Sequence, residues 1–177
     1  EPLCVSAETD TGILIDTENP AEVGADRIVN AAAVVALGAL PAIVIDMGTA
    51  TTFDVVLPPS APDQLPALAG VVITAGLRVA ADALASRAAQ LSRVALEAPP
   101  RALGRNTIHA VQSGLVFGYV GLVEGLVRRL SAELNITPTV IGTGGLINII
   151  APHTDCIDQI EPWLTLGGLR AIGERSE

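Results

Sequence analysis

Ala42-Ile-Val-Ile-Asp-Met-Gly-Thr-Ala-Thr-Thr-Phe-Asp-Val-Val-Leu57 is the stretch whose reading decides the rest of the chain. Ala42 to Ile45 is an apolar, β-branched-rich run, the pattern of a buried strand, and it ends at the acid Asp46. Gly48 supplies a tight turn with Thr49, Thr51 and Thr52 beside it, and Phe53 to Leu57 reads as a return strand. The whole is a hairpin with a small polar tip. Two readings fit it. The Asp and Thr residues can simply serve the turn. Alternatively, the glycine lets backbone N–H groups approach a phosphate, the threonine hydroxyls add donors, and the acid holds a cation against it.

The hairpin sits in a chain of 177 residues, long enough for one domain with a real core or for a piece of a two-domain protein. Half the residues are hydrophobic yet only 2% are aromatic, so Ala, Val, Leu and Ile do the packing and backbones approach closely. The formal net charge is -9, and every cation is an arginine. This balance disfavours nucleic acid and anionic membrane surfaces as partners, but one well-placed Arg can still bind a small anion. Cys4 and Cys156 are too few and too far apart for a metal cluster or a disulfide framework, which predicts reduced thiols. The longest apolar run, Gly114 to Val123, stops at Glu124, short of the ~20 residues that span a bilayer. With no signal peptide in evidence, these features predict a soluble, cytoplasmic protein.

Upstream of the hairpin, Gly12 to Ile15 reads as a short strand. Asn19 as N-cap, Pro20 at the first helical position and Glu22 at the capping-box position predict a helix to about Leu37, stopped by Gly38. That helix carries Gly24-Ala25-Asp26-Arg27, with Asn30 one turn on from Asp26; a neighbouring Asp–Arg pair is also common as plain surface charge. Downstream, Pro58 to Pro66 is a turn region, Ala67 to Ile73 a strand, and Leu77 to about Leu91 an amphipathic helix. Gly104-Arg-Asn-Thr107 precedes a long helix capped by Asn106 or Thr107, whose N-terminus suits a carboxylate or phosphate. Within it Gly114, Gly118, Gly121 and Gly125 each cost ~1 kcal/mol relative to Ala, so a closely approaching helix, of this chain or a partner, should compensate. Thr139 to Ile141 is a strand leading through Gly142-Thr-Gly-Gly145 into an apolar helix; such a turn often receives a nucleotide but is common without one. His109 and His153 have no ligand-like spacing and read as structural or exposed. A final helix covers Leu164 to Arg175. Strands alternating with helices make the chain α/β.

Taken together, these stretches resemble the type III pantothenate kinases, of the actin-like, sugar-kinase ATPase superfamily. The likeness rests on Asn19-Pro-Ala-Glu-Val-Gly-Ala-Asp-Arg-Ile-Val-Asn30, Ile45-Asp-Met-Gly-Thr-Ala-Thr-Thr-Phe-Asp54, Gly104-Arg-Asn-Thr107, Gln112 to Gly125 and Leu164-Thr-Leu-Gly-Gly-Leu-Arg170. It runs from about residue 12 to the end. The resemblance implies an α/β, actin-like (ribonuclease H-like) ATPase domain with a mixed sheet and flanking helices. Residues 1–39 would be the remnant of a first actin-like domain, and residues 40–177 a second one with a dimerisation helix.

The activity implied is phosphorylation of pantothenate by ATP, the entry step to coenzyme A. By resemblance Asp26 is the base that takes the hydroxyl proton, and Gly24, Ala25 and Arg27 bind pantothenate beside it, Arg27 at the carboxylate. Asp46 matches the ligand of a monovalent cation (K+ or NH4+), and Gly48, Thr49 and Gly144 lie with ATP, accompanied by Mg2+. Thr107 matches a pantothenate contact supplied across a homodimer interface. Three departures stand out. The family's Asp-x-Gly-Asn-Thr phosphate loop does not occur in the chain, Thr17 stands where the family usually has a tyrosine, and Ala75 and the Pro58–Pro66 tip differ from the usual run. The expectation is a chain inactive without that loop. The alternative is a truncated, non-catalytic paralogue that completes a partner's site.

Overall fold

The computed structural model describes residues 4–87 and 93–175. Its elements are β1 (Leu14–Ile15), α1 (Ala25–Ala36), β2 (Ala42–Met47), β3 (Ala50–Leu57), β4 (Ala67–Ala75), α2 (Leu77–Arg87), α3 (Thr107–Leu134), β5 (Thr139–Thr143), α4 (Ile147–Ile150), β6 (Gln159–Ile160) and α5 (Leu164–Arg175), with 3-10 turns at Pro20–Glu22 and Ala151–His153. One six-stranded sheet runs in the order β1-β4-β3-β2-β5-β6. β2, β3 and β4 pair antiparallel, whereas β1 joins β4, β5 joins β2 and β6 joins β5 in parallel. The sheet is therefore mixed.

The hairpin stretch is the middle of this sheet. Strand alternation sends Ile43, Ile45, Met47, Phe53 and Val55 to one face, where they pack with Leu115, Val116, Tyr119 and Val123 of α3 and with Ile147 and Ile150 of α4. Ala42, Val44 and Val56 go to the other face, with Val29 to Val34 of α1 and Leu164 and Ile172 of α5. Burial on both faces explains why β2 reads as a continuous apolar run rather than an alternating one. At ~1.5–3 kcal/mol for each fully buried large side chain, Phe53, Ile43, Ile45 and Met47 are major contributors to the sheet's stability.

Several boundaries differ from the sequence reading. β2 continues through Asp46, which pairs with Thr52, to Met47, so the acid lies inside the strand rather than at its end. The expected helix from Pro20 is two pieces. Pro20–Glu22 is a 3-10 turn with no side-chain cap from Asn19, Val23 is extended, and α1 starts only after Gly24 as N-cap. That break places Asp26 and Arg27 in the first turn of α1, at a helix N-terminus. Asn106, not Thr107, caps α3, its Oδ1 accepting from the His109 N–H at 2.8 Å. The helix after the Gly142–Gly145 turn is a single short turn, α4. Leu91 lies outside the described residues.

α3 also revises the bilayer estimate, since the whole helix, beyond the Gly114–Val123 run, is long and apolar enough to cross a membrane by length and composition. One of its faces is committed to the sheet core through Leu115, Val116, Tyr119, Val123 and Val127. The Tyr119 hydroxyl donates to the Ala75 carbonyl at 2.7 Å, pinning α3 to the end of β4. Cβ positions built on Gly114, Gly118, Gly121 and Gly125 meet nothing within 4 Å among the described residues. The compensating helix is therefore not supplied by the described part of this chain.

Candidate active site

Strand alternation turns Asp46 of β2 and Asp54 of β3 toward the same sheet face as α1. Asn30, one turn along α1 from Asp26 and 1% exposed, reaches down to that face. Its Nδ2 donates to Asp46 Oδ2 at 3.5 Å, and its Oδ1 accepts from Thr165 Oγ1 of α5 at 2.8 Å. Asp26 is 60% exposed at the rim, and its Oδ1 accepts from the Arg27 backbone N–H at 3.0 Å and from Arg27 NH1 at 2.9 Å. Arg27, only 17% exposed, lies with its Nε 3.9 Å from Asp54 Oδ1, whose side chain is fully buried. Three acids and one guanidinium thus share one patch on the α1 face of the sheet.

Burial and mutual repulsion set the ionisation of these acids. Burial is the main reason that the Asp46 carboxyl stands above its ordinary range; the Asn30 hydrogen bond opposes the rise, the charge of Asp26 adds to it and that of Arg27 opposes it. Burial pushes the Asp54 carboxyl up to about 7, against the pull of Arg27 and with a further push from Asp26 and Asp46.

The polar tip of the hairpin abuts the second glycine turn. The Gly48 N–H donates to the Ala50 carbonyl and the Gly76 N–H to the Thr49 carbonyl, both at 3.0 Å, so the tip is closed and held against the start of α2. Gly48 and Thr49 themselves are exposed. Gly144 follows β5 with φ +88°, and a Cβ there would lie 2.5 Å from Asp46 Oδ1 and 2.6 Å from the Met47 nitrogen. Only glycine fits. The Leu146 N–H donates to the Met47 carbonyl at 3.3 Å, fastening the two turns together. Gly48, Thr49, Asp46 and Gly144 are therefore one surface.

Gly24 and Arg27 line a cleft of about 470 Å³ with Thr17, Val23, Val71 and Ile73. A Cβ on Gly24 would lie 2.5 Å from Asp26 Oδ1 and 2.8 Å from Arg27 NH1, so the bare backbone there makes room for that ion pair. Ala25 is exposed at the start of α1. Thr107 is elsewhere. It lines a separate groove of about 850 Å³ with Ala80, Leu84, Gly104, Arg105 and Gly114. Within one chain the structure brings together Gly24, Ala25, Asp26, Arg27 and Asp46, the tip and Gly144, but not Thr107.

The sequence alone singles out neither Asp54 nor the bridging role of Asn30. The signal for Asp54 was present, since an acid between Phe53 and Val55 in a buried strand has to be held for a reason other than solubility. The partners of Asn30, Asp46 and Thr165, lie 16 and 135 residues away, and no local pattern reports them.

A mixed six-stranded sheet with helices on both faces, and with acids and glycine turns gathered about its central strands, defines an α/β domain. The family model described as type III pantothenate kinase matches residues 1–129. Type III pantothenate kinases of Moorella thermoacetica, Roseiflexus sp. and Thermomicrobium roseum are 46%, 48% and 49% identical to the chain over 98–99% of its length. The chain spans 65–67% of the length of these relatives. A solved structure described as a Baf family transcriptional activator from Campylobacter jejuni superimposes with a TM-score of 0.60 at 21% identity, covering 93% of this chain and 70% of that one, a likeness of fold. The chain belongs to the type III pantothenate kinase family.

Proposed function

We propose that this chain provides the acceptor side and one phosphate-facing wall of a kinase that transfers the γ-phosphoryl group of ATP to the terminal hydroxyl of pantothenate, giving 4'-phosphopantothenate for coenzyme A synthesis. The observation that carries this reading is the convergence of Asp26, Arg27 and Asp46 beside two glycine turns. Phosphoryl transfer asks a protein mainly for positioning and charge neutralisation. Asp26, exposed at the rim, takes the hydroxyl proton. Arg27 meets the pantothenate carboxylate in the cleft beside Gly24 and Ala25, and Gly48, Thr49 and Gly144 border the ATP phosphates.

The Asp46 carboxylate suits a monovalent cation, K+ or NH4+. Its Oδ1 faces the space that a Gly144 side chain would fill, while Oδ2 is engaged by Asn30. A cation there supplies positive charge beside the phosphates. Among the described residues no group of three or more His, Cys, Asp or Glu converges as a cage, so Mg2+ is assigned to the nucleotide. In the same reading residues 1–39 close a first actin-like domain and residues 40–177 form the second. The chain works as a homodimer in the cytoplasm, with neither nucleic acid nor membrane as partner, and Thr107 of one subunit reaches the pantothenate of the other. Pantothenate-dependent ADP release from ATP, measured on the complete protein with its phosphate loop, tests this: Asp26→Asn should lower kcat by at least ~100-fold, the scale of lost general-base catalysis, and full activity in that variant would remove Asp26 from the role.

The open glycine face of α3 and Thr17 at the cleft favour a second reading, a non-catalytic partner that docks through α3 and completes another subunit's site. Its mass in solution, alone and mixed with a full-length relative, separates the two; a strict monomer in both cases rules the partner role out.

A further inference from the structure

Among the described residues Asp54 is an acid with both carboxylate oxygens buried and short of a well-formed hydrogen bond. It lies on β3, between Val44 of β2 and Val71 of β4, and its side chain is 0% exposed. Neither carboxylate oxygen accepts a well-formed hydrogen bond, the Asn30 side chain being near enough only to favour its charged form, and the Arg27 Nε, also buried, donates none. These two unsatisfied groups face each other at 3.9 Å, about an ångström beyond a charge-assisted bond. Nothing apolar is gained by an acid at this position, and a buried carboxylate is costly unless it is paired. β3 and β4 slip register between Val55 and Val56, one residue beyond Asp54, and such bulges re-aim the side chains beside them.

At its outer end the same guanidinium gives NH1 to Asp26 and borders the cleft. Arg27 is therefore suspended between an exposed carboxylate at the rim and a buried one at the floor. A guanidinium fixed through Nε presents its two terminal nitrogens as a planar fork, the geometry that matches a carboxylate. A guanidinium held only at the rim stays folded onto Asp26, tying up the oxygen that has to accept a proton.

We infer that Asp54 is the positioning residue of Arg27: it anchors Nε from beneath, turns the terminal nitrogens into the cleft toward an anionic acceptor, and so frees Asp26. The anionic acceptor rests on the reading proposed above, whereas the anchor itself does not. Seated anion and anchored Nε support one another, because each removes a reason for Arg27 to lie along Asp26.

NMR and binding measurements on the full chain test the two parts separately. In the wild type the Arg27 Nε–H resonance should be resolved and protected, and Asp54→Asn should shift it and speed its exchange with water. Conversely, Arg27→Gln should move the Asp54 carboxyl titration to higher pH, which keeps the test decisive if Asp54→Asn does not fold. An unchanged Nε–H in the first variant, or an unchanged Asp54 titration in the second, overturns the anchor. Binding is then compared for pantothenate and for its alcohol analogue, which lacks the carboxylate. Asp54→Asn should weaken pantothenate about tenfold or more and leave the alcohol unchanged. Equal loss for both ligands, or no loss for either, overturns the positioning role. If wild-type protein binds neither ligand, the acceptor reading has failed, and the NMR result alone decides the anchor.

Discussion

Asp54 makes the stability of the protein depend on pH in a direction opposite to that of an ordinary ion-paired acid. Its carboxyl titrates near 7 in the fold and near 3.8 in the unfolded chain, so between those values the native state holds a proton that the unfolded state has lost. Stability therefore falls as pH rises through that window, by up to ~1.4 kcal/mol per pH unit from this one group, and levels off above about 7. Urea titrations from pH 4 to 8 should show the slope, and Asp54→Asn should flatten it and leave the protein at least as stable at pH 8. Gly144 makes a second prediction at this scale. Alanine there combines positive φ with a Cβ 2.5 Å from Asp46 Oδ1, and should cost roughly 1–3 kcal/mol in the same assay. The sequence made both positions visible but said little of their roles. Gly144 stands out in the sequence as part of a glycine run, yet its need for φ +88° comes from β2 passing beneath it. Asp54 reads only as a strand residue, because period-two alternation tells which side a residue faces, not that the side ends against Arg27.

Among the elements, α1 and α5 cross most intimately. Gly168 lies where a Cβ would collide with the Val29 carbonyl, and Thr165 bonds Asn30 across the same junction. Gly168→Ala should destabilise the fold by about 1–3 kcal/mol through overpacking, and should also move Asn30 and with it the hydrogen bond to Asp46. α3 behaves differently, because Gly114, Gly118, Gly121 and Gly125 face open space. Gly118→Ala should strengthen the helix of an isolated chain by up to ~1 kcal/mol, whereas in a homodimer packed on that face it should weaken association, as sedimentation at several concentrations would reveal. Strands and long helices were legible from apolar periodicity, and α5 runs over the residues expected, Leu164 to Arg175. The start of α1 was not, since Pro20 and Glu22 carry the signals of a helix start while the chain spends them on one 3-10 turn. The extent of β2 was missed for a related reason. An acid looks like a strand end locally, but the ladder to Thr52 and Thr143 continues through it.

Across the whole molecule, the residues named for one reaction lie in two places, with Gly24 and Arg27 at one cleft and Thr107 at another. If a second subunit closes that gap, mixing Asp26→Asn and Thr107→Ala forms of the complete, loop-bearing protein, each inactive alone, should restore ADP release, because one site of each mixed dimer is intact. No recovery would mean that Thr107 is not shared between subunits. The position of α5 has a consequence of another kind. Arg175 bonds Asp10 at 3.3 Å and lies over Gly12, so the stretch just before β1 and the last residue of α5 are stitched side by side. Connectivity there is interchangeable with proximity: a short flexible splice could join them, and fresh ends could be opened in the proline-rich turn at residues 58–66 without unthreading the sheet. A chain recut in this way should keep its architecture while delivering tags or fusion partners to the opposite rim.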